Sequence, residues 1–149
     1  MKIPIVHLQI VRENEADYHL ENLTSPRTAA AWMKSIIGET DREKVVVCCL
    51  DNRMKPTCVE IAGIGSSNRC MFPVPELFKT ALLSASSYIL VFHTHPSGET
   101  ALSQEDMEAT EQIRKAGEML GIEVLDHIIL GSGDRYYSFR ENEKPLTEQ

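Results

Sequence analysis

Two stretches of the chain are apolar without a break, Val45-Val46-Val47-Cys48-Cys49-Leu50 and Tyr88-Ile89-Leu90-Val91-Phe92. Short runs of this kind suit strands covered on both faces. Ile3 to Val11 alternates instead, with Val6, Leu8 and Ile10 to one side and His7 and Gln9 to the other, which predicts a half-buried strand. Three stretches have helical spacing. Ser25-Pro26 offers an N-cap with proline at N1, and Ala29, Trp32, Met33, Ile36 and Ile37 form a stripe that stops at Gly38. After Pro73 and Pro75, the residues Leu77, Phe78, Ala81, Leu82 and Ala85 mark the inward side of a second helix. Ser103 caps a third, whose Ala109, Ile113, Ala116 and Leu120 recur at helical spacing until Gly121.

The remaining elements follow from turn chemistry. Glu39 to Lys44 is a charged turn, and Asp51-Asn52-Arg53 leads into a strand from Cys58 to Ile64 in which Gly63 and Gly65 predict a bend. Ile122 to Leu130, interrupted by Asp126-His127, and Tyr136 to Phe139 give two more strands. The fold class expected is α/β, with a mixed or mostly antiparallel central sheet flanked by about three helices. It forms one domain over residues 1–140, and Glu141 to Gln149 form a mobile polar tail.

Composition narrows the function classes. At 149 residues the chain can bury a core without staples. A net charge of −7 provides no broad attraction to phosphates and argues against nonspecific duplex binding as the main activity. Cys48, Cys49, Cys58 and Cys70 form no Cys-x-x-Cys pair, and Met1-Lys2-Ile3-Pro4 does not open a signal peptide, so reduced thiols in a cytoplasmic protein are expected. Cys48 and Cys49 are adjacent in a strand and face opposite sides, as small core residues. No apolar stretch approaches the roughly 18 residues of a membrane helix. Open sheet edges would allow a homodimer.

The chemistry concentrates in Phe92-His93-Thr94-His95-Pro96-Ser97-Gly98-Glu99 and the helix that follows. His93 and His95 stand two apart at a strand end, so both imidazoles project to one side. Pro96 and Ser97-Gly98 then turn the chain. Asp106 shares the inward stripe with Ala109 and Ile113, where a carboxylate is costly unless something positive meets it. A divalent cation held by two neutral imidazoles would do so, and three ligands leave one tetrahedral position open, as at a catalytic zinc. Each part also has a plainer reading. Ser103-x-x-Asp106 is compatible with a capping box, and histidines end strands for many reasons. The conjunction is far more specific than its parts.

His93-x-His95, seven residues and then Ser103-x-x-Asp106 resembles the JAMM (MPN+) metalloprotease motif. The spelling His-Thr-His-Pro-Ser-Gly, with Asp126-His127-Ile128-Ile129-Leu130-Gly131 further on, is similar to the RadC branch of that superfamily. The resemblance runs from about Asp41 to about Phe139. It implies a cytidine-deaminase-like JAB/MPN fold, with one zinc per chain on His93, His95 and Asp106 and with Ser103 stabilising an oxyanion. An upstream glutamate serves as general base, and Glu43 occupies that place. By sequence alone Glu39, Asp41, Asp51 and Glu60 compete with it. The implied reaction is hydrolysis of a peptide or isopeptide bond in a peptide or protein substrate that the sequence does not identify. Thr94 replaces the family's usual Asn and Leu102 a frequent Pro; neither change removes a ligand, and both bear on loop shape.

Two other classes stand beside this one. The family label suggests a DNA-associated repair or recombination protein, against which count the acidic charge and a length too short for the helical DNA-binding-type region common in RadC proteins. A partner-binding module that keeps the fold without the reaction typically loses a ligand, and here all are present. Other zinc signatures, His-Glu-x-x-His and Pro-Cys-x-x-Cys with His-x-Glu, do not occur. Asp126 and His127 point to opposite sides, so at most one faces the metal site, where it would accept the other N–H of a ligating imidazole. A structural pair is the plainer reading.

Overall fold

The computed structural model describes residues 1–39, 42–64, 72–95 and 97–143. Helix α1, Pro26–Ile37, starts where Ser25 Oγ accepts the Thr28 N–H. Strands β1, Lys44–Leu50, and β2, Pro56–Ile64, form a hairpin. At its turn the Asp51 carboxylate accepts the N–H groups of Arg53 and Lys55 at 2.8 and 3.0 Å. Helix α2, Val74–Leu83, leads to β3, Tyr88–Thr94, then α3, Gln104–Leu120, β4, Glu123–Leu130, and β5, Tyr136–Ser138.

The sheet order is β2-β1-β3-β4-β5. β1 is antiparallel to β2 and β3, β4 is parallel to β3, and β5 is antiparallel to β4. A parallel neighbour needs a crossover, and α3 supplies it. The result is the mixed sheet with three helices that the pattern of elements predicts.

Both apolar runs are buried on two sides, as their unbroken hydrophobicity requires. Val46, Cys48, Leu50, Leu90 and Phe92 pack with Ala29 and Met33 of α1, whereas Val45, Val47, Cys49, Ile89 and Val91 pack with Leu77 and Phe78 of α2 and Ile113 of α3. Full burial of each Val, Leu, Ile, Phe or Met among them stabilises the fold by about 1.5–3 kcal/mol. Val45 pairs with Gly63 but Val46 with Ile61, so Ala62 is the extra residue of a bulge at the bend Gly63 predicts. Gly65, Cys70 and Pro96 lie outside the described residues.

Two expectations need correction. Residues 1–20 contain no strand, and Ile3 and Ile5 are 76% and 100% exposed. Alternation is a local property, whereas a strand exists only where a neighbour completes its ladder, and no strand of this sheet pairs with that segment. Tyr18 instead packs edge-on against Trp32 at 5.3 Å, and the indole N–H donates to the Asp17 carbonyl at 2.9 Å. Leu82 and Leu120, placed on inward stripes, are 54% and 42% exposed because each lies in the last turn of its helix. Ala85 falls beyond α2 with φ +52°. Glu141 to Glu143 form turns tied back to the body through Tyr136–Glu141 and Arg114–Glu143 contacts; 144–149 lie outside the described residues.

Candidate metal centre

β3 is the central strand, held by β1 on one side and β4 on the other, and His93 sits in register with Val45 and Ile129. Its imidazole is buried. His95 follows just past the strand, where its N–H reaches the Leu130 carbonyl at 3.4 Å. The next turn closes with Gly98 N–H donating to the His95 carbonyl at 2.9 Å. Gly98 adopts φ +76°, and a Cβ there would lie 2.7 Å from Ser132 Oγ, so glycine is required both by conformation and by contact.

α3 begins with reciprocal capping. Ser103 Oγ accepts the Asp106 N–H at 3.1 Å, and Asp106 Oδ2 accepts the Ser103 N–H at 2.9 Å. The capping-box reading is therefore correct, and it does not compete with the other role. Asp106 Oδ1 lies 3.4 Å from His93 Nδ1, and Oδ2 lies 3.3 Å from His95 Nε2. Ligand atoms of His93, His95 and Asp106 all fall within 4.8 Å of one another.

These residues fit a cation. Both ring nitrogens of His93, and Glu43 Oε2, are buried without a hydrogen bond. The 3.4 Å approaches to His93 lack hydrogen-bonding geometry. Leaving such atoms unpaired costs about 1–3 kcal/mol each, which a shared cation would offset. His95 Nδ1 faces the Glu99 carbonyl at 3.1 Å. A carbonyl only accepts, so Nδ1 carries the proton and Nε2 presents its lone pair to the centre. Electrostatics agree: burial alone would raise the Asp106 carboxyl, but the two imidazoles and Ser103 outweigh it and hold it well below the usual carboxylate range. Asp106 in turn pulls His95 upward. Protons and a divalent cation compete for the same nitrogens.

Glu43 immediately precedes β1, and its Oε1 lies 3.4 Å from His93 Nε2. Of its described competitors, Glu39 pairs with Lys34 at 3.6 Å, Asp51 serves the hairpin, and Glu60 accepts from Thr80 at 2.7 Å. Asp41 lies outside the described residues. Thr94 holds the glutamate's backbone from both sides. Its hydroxyl donates to the Arg42 carbonyl at 3.0 Å and accepts the Lys44 N–H at 2.8 Å. A cleft of about 160 Å³ opens beside His95, between Lys34 and Gly38 of the α1 end and the loops at Gly98 and Ser132.

Asp126 and His127 do face opposite ways. Asp126 accepts from Ser138 Oγ and the Arg140 N–H, fastening β4 to β5 and the following turn. His127 lies on the site's side, 6.2 Å from His93 between ring centroids, but gives neither His93 nor His95 a hydrogen bond. Its Nδ1 meets Thr110 Oγ1 at 2.7 Å, and that hydroxyl donates to the Asp106 carbonyl at 2.9 Å. The single hydroxyl proton is thus spent, so His127 Nδ1–H is the donor. Burial lowers His127 to about 3 and keeps it neutral. Thr110 and Phe72 were absent from the sequence reading. Thr110 was legible, one turn beyond Asp106 on the same buried stripe. Phe72, edge-on to His93 at 4.7 Å and to His127 at 5.3 Å, carries no local signal.

Residues 23–144 match the family model described as the RadC-like JAB domain. The chain is 38% identical over 117 residues to a UPF0758 protein of Methanosarcina barkeri, covering 78% of this chain and 51% of that protein. UPF0758 proteins of Roseiflexus castenholzii and Chloroflexus aurantiacus are 38% and 40% identical over 119 residues, in each case 80% of this chain and 51% and 52% of theirs. The chain spans about half the length of the curated relatives it matches. Among the described residues no helix is long and apolar enough to cross a membrane. The match over residues 23–144, which contains the triad, Glu43 and Ser103, establishes that the chain belongs to the RadC-like JAB domain family.

Proposed function

We propose that this chain is a zinc-dependent hydrolase that cleaves a peptide or isopeptide bond. The observation that carries this reading is the buried triad His93, His95 and Asp106, with unpartnered imidazole nitrogens on His93 and an unpartnered Glu43 oxygen beside them. Two nitrogens and one carboxylate oxygen suit zinc with a position left open. When bound, the metal supplies an acidified water, with a pKa near 7, and polarises the substrate carbonyl. Glu43 takes the proton of the attacking water on its free oxygen and returns it to the leaving nitrogen. Ser103 Oγ accepts from the Asp106 N–H, which leaves its own hydrogen to donate to the developing oxyanion. The cleft beside His95 gives the substrate chain a place to lie.

The test is elemental analysis of tag-free protein, followed by assay against panels of peptides and isopeptides. Wild type is expected to hold about one zinc per chain and Asp106→Ala none, as the three-ligand site requires. Absence of metal from wild type supplied with zinc would reduce Asp106 to a helix cap and overturn the proposal. Salt-sensitive duplex binding without hydrolysis would favour the DNA-associated reading instead.

A further inference from the structure

Cys49 and Cys58 are directly opposite one another in the antiparallel β1–β2 pair. Opposed residues in such a pair have Cα atoms about 4.5–5.5 Å apart, inside the range of about 4.4–6.8 Å that a disulfide spans. Their Cβ atoms, about 4.5–5.5 Å apart in an ordinary ladder, need about 3.5–4.5 Å, so the strands must close by about 1 Å. This is the part of the sheet able to do so. β2 is an edge strand, and its register with β1 shifts at the next position, between Cys49 and Leu50.

The surroundings set the two thiols apart. Cys49 is fully buried, whereas Cys58 is half-buried on the edge strand. Beside the pair, Thr57 Oγ1 donates to the Cys49 carbonyl at 3.2 Å. The neighbouring Cys49 thiol foremost, with the Ser84 and Thr57 hydroxyls, lowers Cys58 to about 6 against the opposing effect of burial, while the Cys58 thiol and burial raise Cys49. Cys48, the neighbour of Cys49, lies in the core cluster beneath α1 and is pushed up to about 12 by burial. The chain therefore carries a half-buried thiol on the edge strand, a buried thiol opposite it and a second buried thiol beside them.

We infer that Cys49 and Cys58 form a reversible intramolecular disulfide in response to peroxide, with Cys58 as the residue oxidised first. The Cys58 thiolate attacks one peroxide oxygen; an S–O bond forms, the O–O bond breaks, and the departing hydroxide takes up a proton as water. The sulfur is oxidised to a sulfenic acid while the peroxide is reduced. Cys49 then attacks the Cys58 sulfur, forming the S–S bond as the S–O bond breaks, and its thiol proton leaves with the hydroxide as a second water.

The inference stands apart from the metal centre and is tested without it. Reduced protein is treated with hydrogen peroxide, remaining thiols are alkylated, and the chain is cleaved after Arg53, which separates Cys48 and Cys49 from Cys58. Mass spectrometry without reduction is expected to show one cross-link, lighter by two hydrogens and reversed by dithiothreitol, with Cys48 alkylated. Cys58 should lose its thiol about two- to threefold faster than free cysteine at neutral pH, the thiolate gain less the loss of intrinsic nucleophilicity. Cys70→Ser should leave the cross-link intact. Cys49→Ser should stop Cys58 at a sulfenic acid that dimedone traps, and Cys58→Ser should leave Cys49 alkylatable. Cross-linking of Cys58 to Cys70 or to another chain, or survival of both thiols at doses that consume free cysteine, would overturn the inference.

Discussion

Glu43 Oε1 lies 3.4 Å from His93 Nε2, across the junction of β1 and β3. Register explains the meeting. Val45 is opposite His93, so Glu43, two residues earlier, projects from the same face of the sheet as His93 and His95.

Glu43→Gln should keep the shape of the side chain while removing its capacity to take a proton. Metal content is expected to stay at the wild-type level while kcat falls by about 10²–10⁴-fold, the usual contribution of a positioned base. Parallel metal analysis and kinetics on the best substrate check this. Loss of metal with the substitution would mean that Glu43 acts mainly in holding the cation.

Thr94→Val removes the hydroxyl that grips the backbone on both sides of Glu43. Two polar groups lose their partner in a partly buried place, at about 1–3 kcal/mol of stability. Turnover is expected to drop with zinc retained, and Thr94→Ser to restore most of it. A purely structural Thr94 would lower the urea midpoint without moving kcat.

Acid should destabilise the metal-free protein well before carboxylates titrate. His127 has a folded pKa near 3 against 6.5 in the unfolded chain, because burial, then the charges of His93, His95 and Arg114, oppose its protonation more than Asp106 favours it. Between those values the unfolded state binds more protons, so stability falls as pH falls, approaching about 1.4 kcal/mol per pH unit. His95, raised by Asp106, has the opposite sign, so the comparison with His127→Gln isolates the effect. Urea midpoints from pH 7 down to about 4.5, in chelator, should show a steep loss in wild type and a flatter one in the variant.

Chelation, or His95→Ala, should abolish activity and leave the fold nearly intact. The core packs on both faces of the sheet through Met33, Phe92, Leu77 and Ile113, none of which needs the triad. Far-UV circular dichroism is expected to change little, and added zinc should raise Tm only by the linkage of a bound ligand. Wholesale unfolding in chelator would contradict this.

Much of this was legible because local pattern and tertiary setting agree. The runs ending at Leu50 and Phe92 announce strands covered twice, and the Asp106 stripe places a carboxylate against buried neighbours. Where a residue's role depends on what another segment brings, sequence fell short. Ile3 to Val11 alternates without a paired neighbour, Leu82 continues a stripe into a last turn that is uncovered, and Phe72 reaches two histidines from a position with no motif. Glu43 was separated from its rivals by resemblance, and only the β1–β3 register puts it beside His93.

The three side chains of the candidate metal centre come from one contiguous passage, the end of β3 and the start of the crossover helix, whereas Glu43 stands far earlier in the chain, just before β1. Under the proposed function, ion capture and proton handling are thus encoded at separate addresses in the chain. On the proposed reading, a single substitution at the earlier address would leave a metal-bearing scaffold without the reaction, every candidate ligand still in place, a short evolutionary step from chemistry to recognition.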